Sequence, residues 1–145
     1  MKKLLVLLTV VFAFGLDFTF TKAFQQFNAG VRMVKTNPDG AQEHFKKSFE
    51  LIQTLKHKDS SQVYYMLGRM YCNGWGTQKD YNLAEKYFKK SLQLGNQRAH
   101  CCLARLYLKE GKIDLAKKHY DIAKKNKLIA NYCKDIDETK FKEQQ

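Results

Sequence analysis

"LGRMYCNGWG", residues 67–76, places a glycine inside what otherwise reads as a helix and then ends that helix in Gly-Trp-Gly. Glycine in a helix interior costs about 1 kcal/mol against alanine, so a chain that keeps one there needs a reason. The reason lies in a repeat. "YYMLGRMY" (64–71) and "HCCLARLY" (100–107) superpose with Leu67 on Leu103, Gly68 on Ala104, Met70 on Leu106 and Tyr71 on Tyr107. Downstream, "LAEKYFKKS" (83–91) superposes on "LAKKHYDIA" (115–123), with Ala84 on Ala116 and Phe88 on Tyr120. An earlier copy, "GAQEHFKKS" (40–48), supplies Ala41 and Phe45. The unit is a helical hairpin used three times. Gly68 and Ala104 on the first helix of a pair, and Ala41, Ala84 and Ala116 on the second, mark where two backbones cross too closely for a large side chain.

The spacing predicts helices over 24–36, 40–56, 61–73, 80–94, 97–110, 113–126 and 128–140. Pro38 and Asp39 break the first pair, Ser60 or Ser61 caps the third helix, Asp80 caps the fourth, and Gly111-Lys112 turns the third pair. The last helix, with Ile129, Tyr132 and Ile136, is expected to cover the open end of the stack, because a solenoid end exposes apolar surface. The expected fold class is all-α: a right-handed α-solenoid of about three helix-turn-helix repeats plus a C-terminal capping helix. The repeat domain is expected over 24–140, with a frayed tail over 141–145.

Tyr64, Leu67, Gly68, Tyr71, Ala84 and Phe88 resemble the tetratricopeptide pattern, with Tyr64 where that pattern has tryptophan. Tyr71 and Ala84 are further apart than Tyr107 and Ala116, and the extra residues fall in "NGWGTQKD". A glycine-rich turn of that kind before an Asp-Tyr helix start resembles the Sel-one-like repeat family, and Gly95 closing the second helix fits as well. The third unit is closer to a plain tetratricopeptide unit, and the first is degenerate. The resemblance implies a helical-repeat scaffold. Cysteine-rich exported members of that family are sometimes described as penicillin-binding or β-lactam-hydrolysing, and they tend to carry a Cys-x7-Cys pair. Here Leu92 and His100 stand at those positions, so that disulfide ladder does not transfer.

The chain has 145 residues, enough for one domain, and 44% hydrophobic with 13% aromatic residues excludes global disorder. "MKKLLVLLTVVFAFGLDFTFTKA" (1–23) reads as a bacterial secretory signal: Lys2 and Lys3, an apolar run from Leu4 to Leu16, then a more polar stretch. Cleavage after Ala23 is expected, with cleavage after Gly15 as the alternative. The apolar run is short of the roughly 20 residues a membrane span needs, so membrane association is expected only through an uncleaved signal. The expected location is periplasmic or secreted, in a bacterium. A formal net charge of +12 is strongly basic, but the lysines are scattered over helix surfaces, and in an exported chain no nucleic-acid partner is expected.

Four cysteines in an exported chain invite disulfides. Four allow three full pairings. Cys101 and Cys133 occupy equivalent places ten residues beyond Ser91 and Ala123, and they are the favoured bridge. No paired Cys-x2-Cys motif accompanies His100, Cys101, Cys102 and His119, so no metal and no cofactor is expected. The chain has no Ser-x-x-Lys, Lys-Thr-Gly or His-Glu-x-x-His and no glycine-rich phosphate loop. His44, His57, His100 and His119 each stand singly, and no catalytic residue is assigned.

At 100° per residue, positions 62, 65, 69 and 72 form a stripe beside the packing face, and 98, 101, 105 and 108 form its counterpart. This stripe would line the concave groove. It carries Tyr65, Arg69, Arg98 and Arg105, the candidate binding residues, with Asn73 and Lys109 at the edge. Two guanidinium groups in register suit carboxylates, which they grip in bidentate fashion. A protein or peptide partner of acidic character is therefore expected, with peptidoglycan or a β-lactam as further candidates. Trp75 is a second candidate contact.

Overall fold

In a computed structural model the described residues are 2–142, with the backbone alone described over 2–17 and at residue 57. The first seventeen side chains of the expected leader, and residues 143–145 of the expected tail, lie outside the described residues.

Six α-helices follow in order: α1 (Lys2–Met33), α2 (Pro38–Gln53), α3 (Ser61–Asn73), α4 (Tyr81–Gln93), α5 (Ala99–Lys109) and α6 (Ile113–Lys125). They pack as adjacent pairs, α1 with α2, α3 with α4, and α5 with α6. Among the described residues no helix is long and apolar enough to cross a membrane. The starts are set by local chemistry. Pro38 opens α2 and the Asn37 side chain accepts from Gly40 N at 3.0 Å, while Asp80 accepts from Leu83 N at 2.9 Å at the head of α4. Ser60, rather than Ser61, caps α3.

Gly68 has the neighbour the repeat demands. A methyl group on Gly68 would stand 2.5 Å from ring carbons of Phe88, so α3 and α4 touch where Phe88 lies flat on bare backbone. Gly30 on α1 plays the same part against Phe45 on α2, where a methyl would meet the ring at 2.6 Å. In the third pair Ala104 and Tyr120, both buried, take those places. A second device recurs with it. The Ser48 hydroxyl donates to the Ala23 carbonyl at 2.7 Å, and the Ser91 hydroxyl donates to the Ser61 carbonyl at 2.7 Å. Each serine stands three residues beyond its aromatic, so aromatic and hydroxyl are one helical turn apart on one face. Ala123 fills that position in the third pair, where the tie is missing.

Three apolar clusters succeed one another along the stack. The first joins Ala23, Phe27, Phe45, Ile52, Leu67 and Met70, the second Ala84, Phe88, Leu103, Leu106 and Tyr107, and the third Cys101, Ala104, Tyr120, Ile129, Cys133 and Ile136. The first cluster contains Ala23 and reaches Phe20, so α1 packs as one helix across the expected cleavage point, about six turns longer than a helix beginning at residue 24.

The end of the stack is closed differently from the expectation of an α-helix over 128–140. Two 3-10 turns, Ala130–Cys133 and Glu138–Phe141, do the covering. The cause is local competition for backbone groups. The Asn126 side chain accepts from Leu128 N at 3.0 Å and the Asp137 side chain accepts from Thr139 N at 3.0 Å, and each diverts an amide that a helix would use. Ile129, Cys133 and Ile136 are still buried, and Phe141 packs on Tyr120 with ring centroids 5.1 Å apart. Cys133 is joined to Cys101, with Cα atoms 5.2 Å apart, and Cys72 and Cys102 are free.

Candidate functional site

The Gly-Trp-Gly loop after α3 shapes the groove. Gly74 and Gly76 adopt φ of 69° and 71°, the left-handed region that favours glycine. A side chain on Gly76 would meet the Phe45 carbonyl oxygen at 2.4 Å, so the loop lies directly on the α2 backbone. Gln42 of α2 clamps it from both sides, donating to Gly74 O at 3.1 Å and accepting from Gly76 N at 3.0 Å. Trp75 is thereby laid against the preceding hairpin, stacked on Phe45 with centroids 4.6 Å apart.

That indole is one wall of an aromatic seat. The Arg69 guanidinium carbon stands 4.7 Å from the Phe27 ring centroid, 5.4 Å from Trp75 and 5.9 Å from Tyr65. Such cation–π contacts hold the charge in place while leaving its N–H edge free to bond a ligand. Arg98, the residue before α5, stands 4.6 Å over the Tyr132 ring. Arg105 donates from Nε to Asp135 at 2.8 Å, and from Nη2 both to the second Asp135 oxygen and to the Tyr132 carbonyl.

All four candidate binding residues, Tyr65, Arg69, Arg98 and Arg105, meet in one cleft of about 300 Å³, with Phe24, Phe27 and Tyr132 completing its apolar wall. Arg69, Cys102 and Arg105 separate it from a second hollow of about 210 Å³ that reaches Trp75, Asn73 and Lys109. Lys109 bridges the two repeats there, donating to Asn73 Oδ1 at 3.2 Å. Cys101, expected on the groove stripe, is turned away into its bridge, and Cys102 takes the groove position. The bridge itself draws Cys101 toward Cys133, and the next residue, 100° round the helix, then faces the cleft.

Burial pushes the Tyr65 phenol and the Cys102 thiol up, so both are neutral, and the Cys102 thiol donates to Tyr65 Oη at 3.5 Å. Burial works against the Arg105 charge, but its bonds to Asp135 outweigh this and raise it, while the same bonds lower Asp135. The cleft is cationic with apolar walls. Its permanent charges are arginines, and Asp135, the acid paired with Arg105, lines the adjoining hollow and carries no signal in the repeat pattern.

A larger hollow, about 540 Å³, lies between α4 and the start of the second hairpin and is lined by Tyr64, Tyr87 and Lys56, Lys86, Lys89 and Lys90. "KYFKK" (86–90) is its sequence signature. Its lysines have partners too, Lys56 over Tyr87, Lys90 over Tyr64 and beside Asp59, and Lys89 beside Glu85. An ammonium is a point charge, however, whereas the planar guanidinium forks of the arginine cleft match a carboxylate in two-point fashion. Ser48 and Ser91 are buried and committed to backbone carbonyls, and Ser60 to capping α3. Among the described residues no group of three or more His, Cys, Asp or Glu could hold a metal.

A stack of helical hairpins with a cleft along the first helices defines a helical-repeat protein. Residues 61–96 match the Sel1 repeat, a span that starts with α3 and ends just beyond α4. Over 74 residues the chain is 30% identical to the "ERAD-associated E3 ubiquitin-protein ligase component HRD3" of Candida glabrata, which covers 51% of this chain and 9% of that protein. This chain thus spans about a tenth of that relative's length. No solved structure matches. The repeat and this relative support a helical-repeat scaffold for protein–protein contact.

Proposed function

We propose that this protein is a non-enzymatic, exported helical-repeat scaffold that holds a protein or cell-envelope partner of acidic character in the cleft of Tyr65, Arg69, Arg98 and Arg105. The observation that carries this reading is the seating of Arg69 over three rings beside Arg98 and Arg105 in a single cleft. Three guanidinium groups held in fixed positions favour a ligand with carboxylates at matching spacings. The match to a component of a larger assembly is in keeping with a scaffold.

Export to the periplasm or medium rests on Lys2, Lys3 and the apolar run from Leu4 to Leu16. Two sites suit cleavage, and the packing favours the earlier one. A cut after Ala23 would remove the carbonyl that Ser48 holds, together with the buried Ala23 and the packed Phe20. A cut after Gly15 keeps all three.

Replacing Arg69 and Arg105 together by alanine tests the cleft. The double variant is expected to melt as a folded helical protein and to lose a partner captured by the natural chain from a cell-envelope extract. Capture that survives the double replacement overturns the reading. Turnover of a chromogenic cephalosporin by the purified protein would overturn the non-enzymatic assignment.

A further inference from the structure

Two arginines of the cleft already have partners from this chain's own closing segment. Tyr132 lines the cleft and Asp135 lines the adjoining hollow, with Arg105 shared between the two. The Asp135 carboxylate takes the Arg105 fork on both oxygens, the Tyr132 carbonyl accepts from the same guanidinium, and the Tyr132 ring lies under Arg98. One stretch of four residues therefore satisfies two of the three arginines by the means an external peptide would use: a bidentate carboxylate, a main-chain acceptor and an aromatic face. Arg69 stands at the position equivalent to Arg105 one repeat earlier, and among the described residues no carboxylate pairs with it. The Asp135 side chain is 67% exposed, so water and competing ligands reach the pair. Cys133, in the middle of the stretch, is bonded to Cys101 on the same helix as Arg105.

We propose that residues 132–135 are a built-in ligand of the arginine cleft, and that the partner is a peptide which displaces them by presenting an aromatic residue three positions before a carboxylate. This deepens the reading of the cleft as the partner site and rests on it. A second carboxylate in the partner would be taken by Arg69, the one member of the set that the internal segment leaves unused. The tether decides the strength of the block. A short tether holds its ligand near millimolar effective concentration, so a cleft with a free dissociation constant of about 10 µM binds roughly 100-fold more weakly while the segment is seated. The internal ligand therefore sets a threshold, and a peptide lacking either the ring or the acid does not pass it.

The probe is a fluorescein-labelled synthetic peptide of residues 130–138 carrying Cys133→Ser, read by fluorescence anisotropy. Asp135→Ala in the full chain keeps the disulfide and removes the internal carboxylate. This variant is expected to bind the probe at least tenfold more tightly than the natural chain. Cys133→Ser, which unties the segment, is expected to move in the same direction. Arg105→Ala added to Asp135→Ala is expected to abolish the gain, and a probe with Asp135→Asn is expected to bind neither chain. Equal binding by the natural chain and by Asp135→Ala overturns the internal ligand and leaves the cleft as a binding site. If Asp135→Ala is folded by circular dichroism and binds no probe, the cleft reading fails with it.

Discussion

Trp75 lies flat on Phe45, their ring centroids 4.6 Å apart and their planes 5° from parallel, although one residue belongs to the loop after α3 and the other to α2. Beside the Gln42 clamp, this contact helps fasten the second hairpin to the first and at the same time builds the wall on which Arg69 rests. Replacing Trp75 by alanine removes both. The expected loss is about 3 kcal/mol, the low end for a large aromatic because the indole is only half-buried. Chemical denaturation followed by circular dichroism measures it. Because Trp75 is the chain's single tryptophan, its emission in the natural protein also reports whether Arg69 stands over it. Arg69→Ala is expected to shift that emission with little change in stability.

Gly68→Leu is expected to lower stability by about 3 kcal/mol or to prevent folding, because the added side chain must enter the space of Phe88. Pairing it with Phe88→Ala separates a steric cause from a helix-propensity one. Leucine is the better helix former, so a partial recovery of the melting temperature in the double variant identifies the crossing as the cause. No recovery would mean that Gly68 is kept for another reason.

A chain beginning at Leu16 is expected to melt at a higher temperature than one beginning at Phe24. The shorter chain leaves the buried Ser48 hydroxyl without its carbonyl, which costs about 1–3 kcal/mol, and it removes Ala23 from the core. Under the proposed export, the intact mass of the secreted product is expected to match cleavage after Gly15. A mass starting at Phe24 would overturn that assignment.

Acidification is expected to weaken the third hairpin. His100 of α5 and His119 of α6 share one proton between their Nδ1 atoms, 2.8 Å apart. Burial lowers both, His119 to about 4 with the help of His100, Lys118 and Lys89 and against the pull of Glu85. The unfolded chain then binds more protons than the folded one below the ordinary value of 6.5, so stability is full above pH 6.5 and falls as the pH drops toward 4. Asp135 and Glu85 are held low and act in the same direction only nearer their ordinary values of 3.8 and 4.5. Melting temperatures at pH 7.5, 6 and 5 are expected to decline for the natural chain and to be flatter for His119→Gln.

The hairpin repeat was legible because its signals are local: small residue, aromatic and turn recur at near-constant spacing, and helix periodicity fixes which of them share a face. The crossing of Gly68 with Phe88 follows from that alone. Gly30 does the same work in the first hairpin and lies within the helix expected over 24–36, but Ala29 and Met33 stand where Leu67 and Tyr71 frame Gly68, so its match to Gly68 does not stand out. The closing segment was misread for the opposite reason. Ile129, Cys133 and Ile136 have helical spacing, yet Asn126 and Asp137 redirect nearby amides, and hydrogen bonds of that kind do not disturb an apolar pattern. The arginines of the cleft follow from the repeat, while Asp135 does not: its partner is thirty residues away, and no periodicity connects a non-repeating tail to a repeated position.

The third hairpin has neither the serine tie nor the glycine crossing of the first two, and the bridge from Cys101 to Cys133 fastens α5 to the closing turn rather than to α6. Under the proposed internal ligand, release of that turn and vacating of the cleft draw on the same restraint. Whatever loosens the far end of the stack also raises the protein's appetite for its partner, so robustness and responsiveness in this molecule trade against each other at one bond.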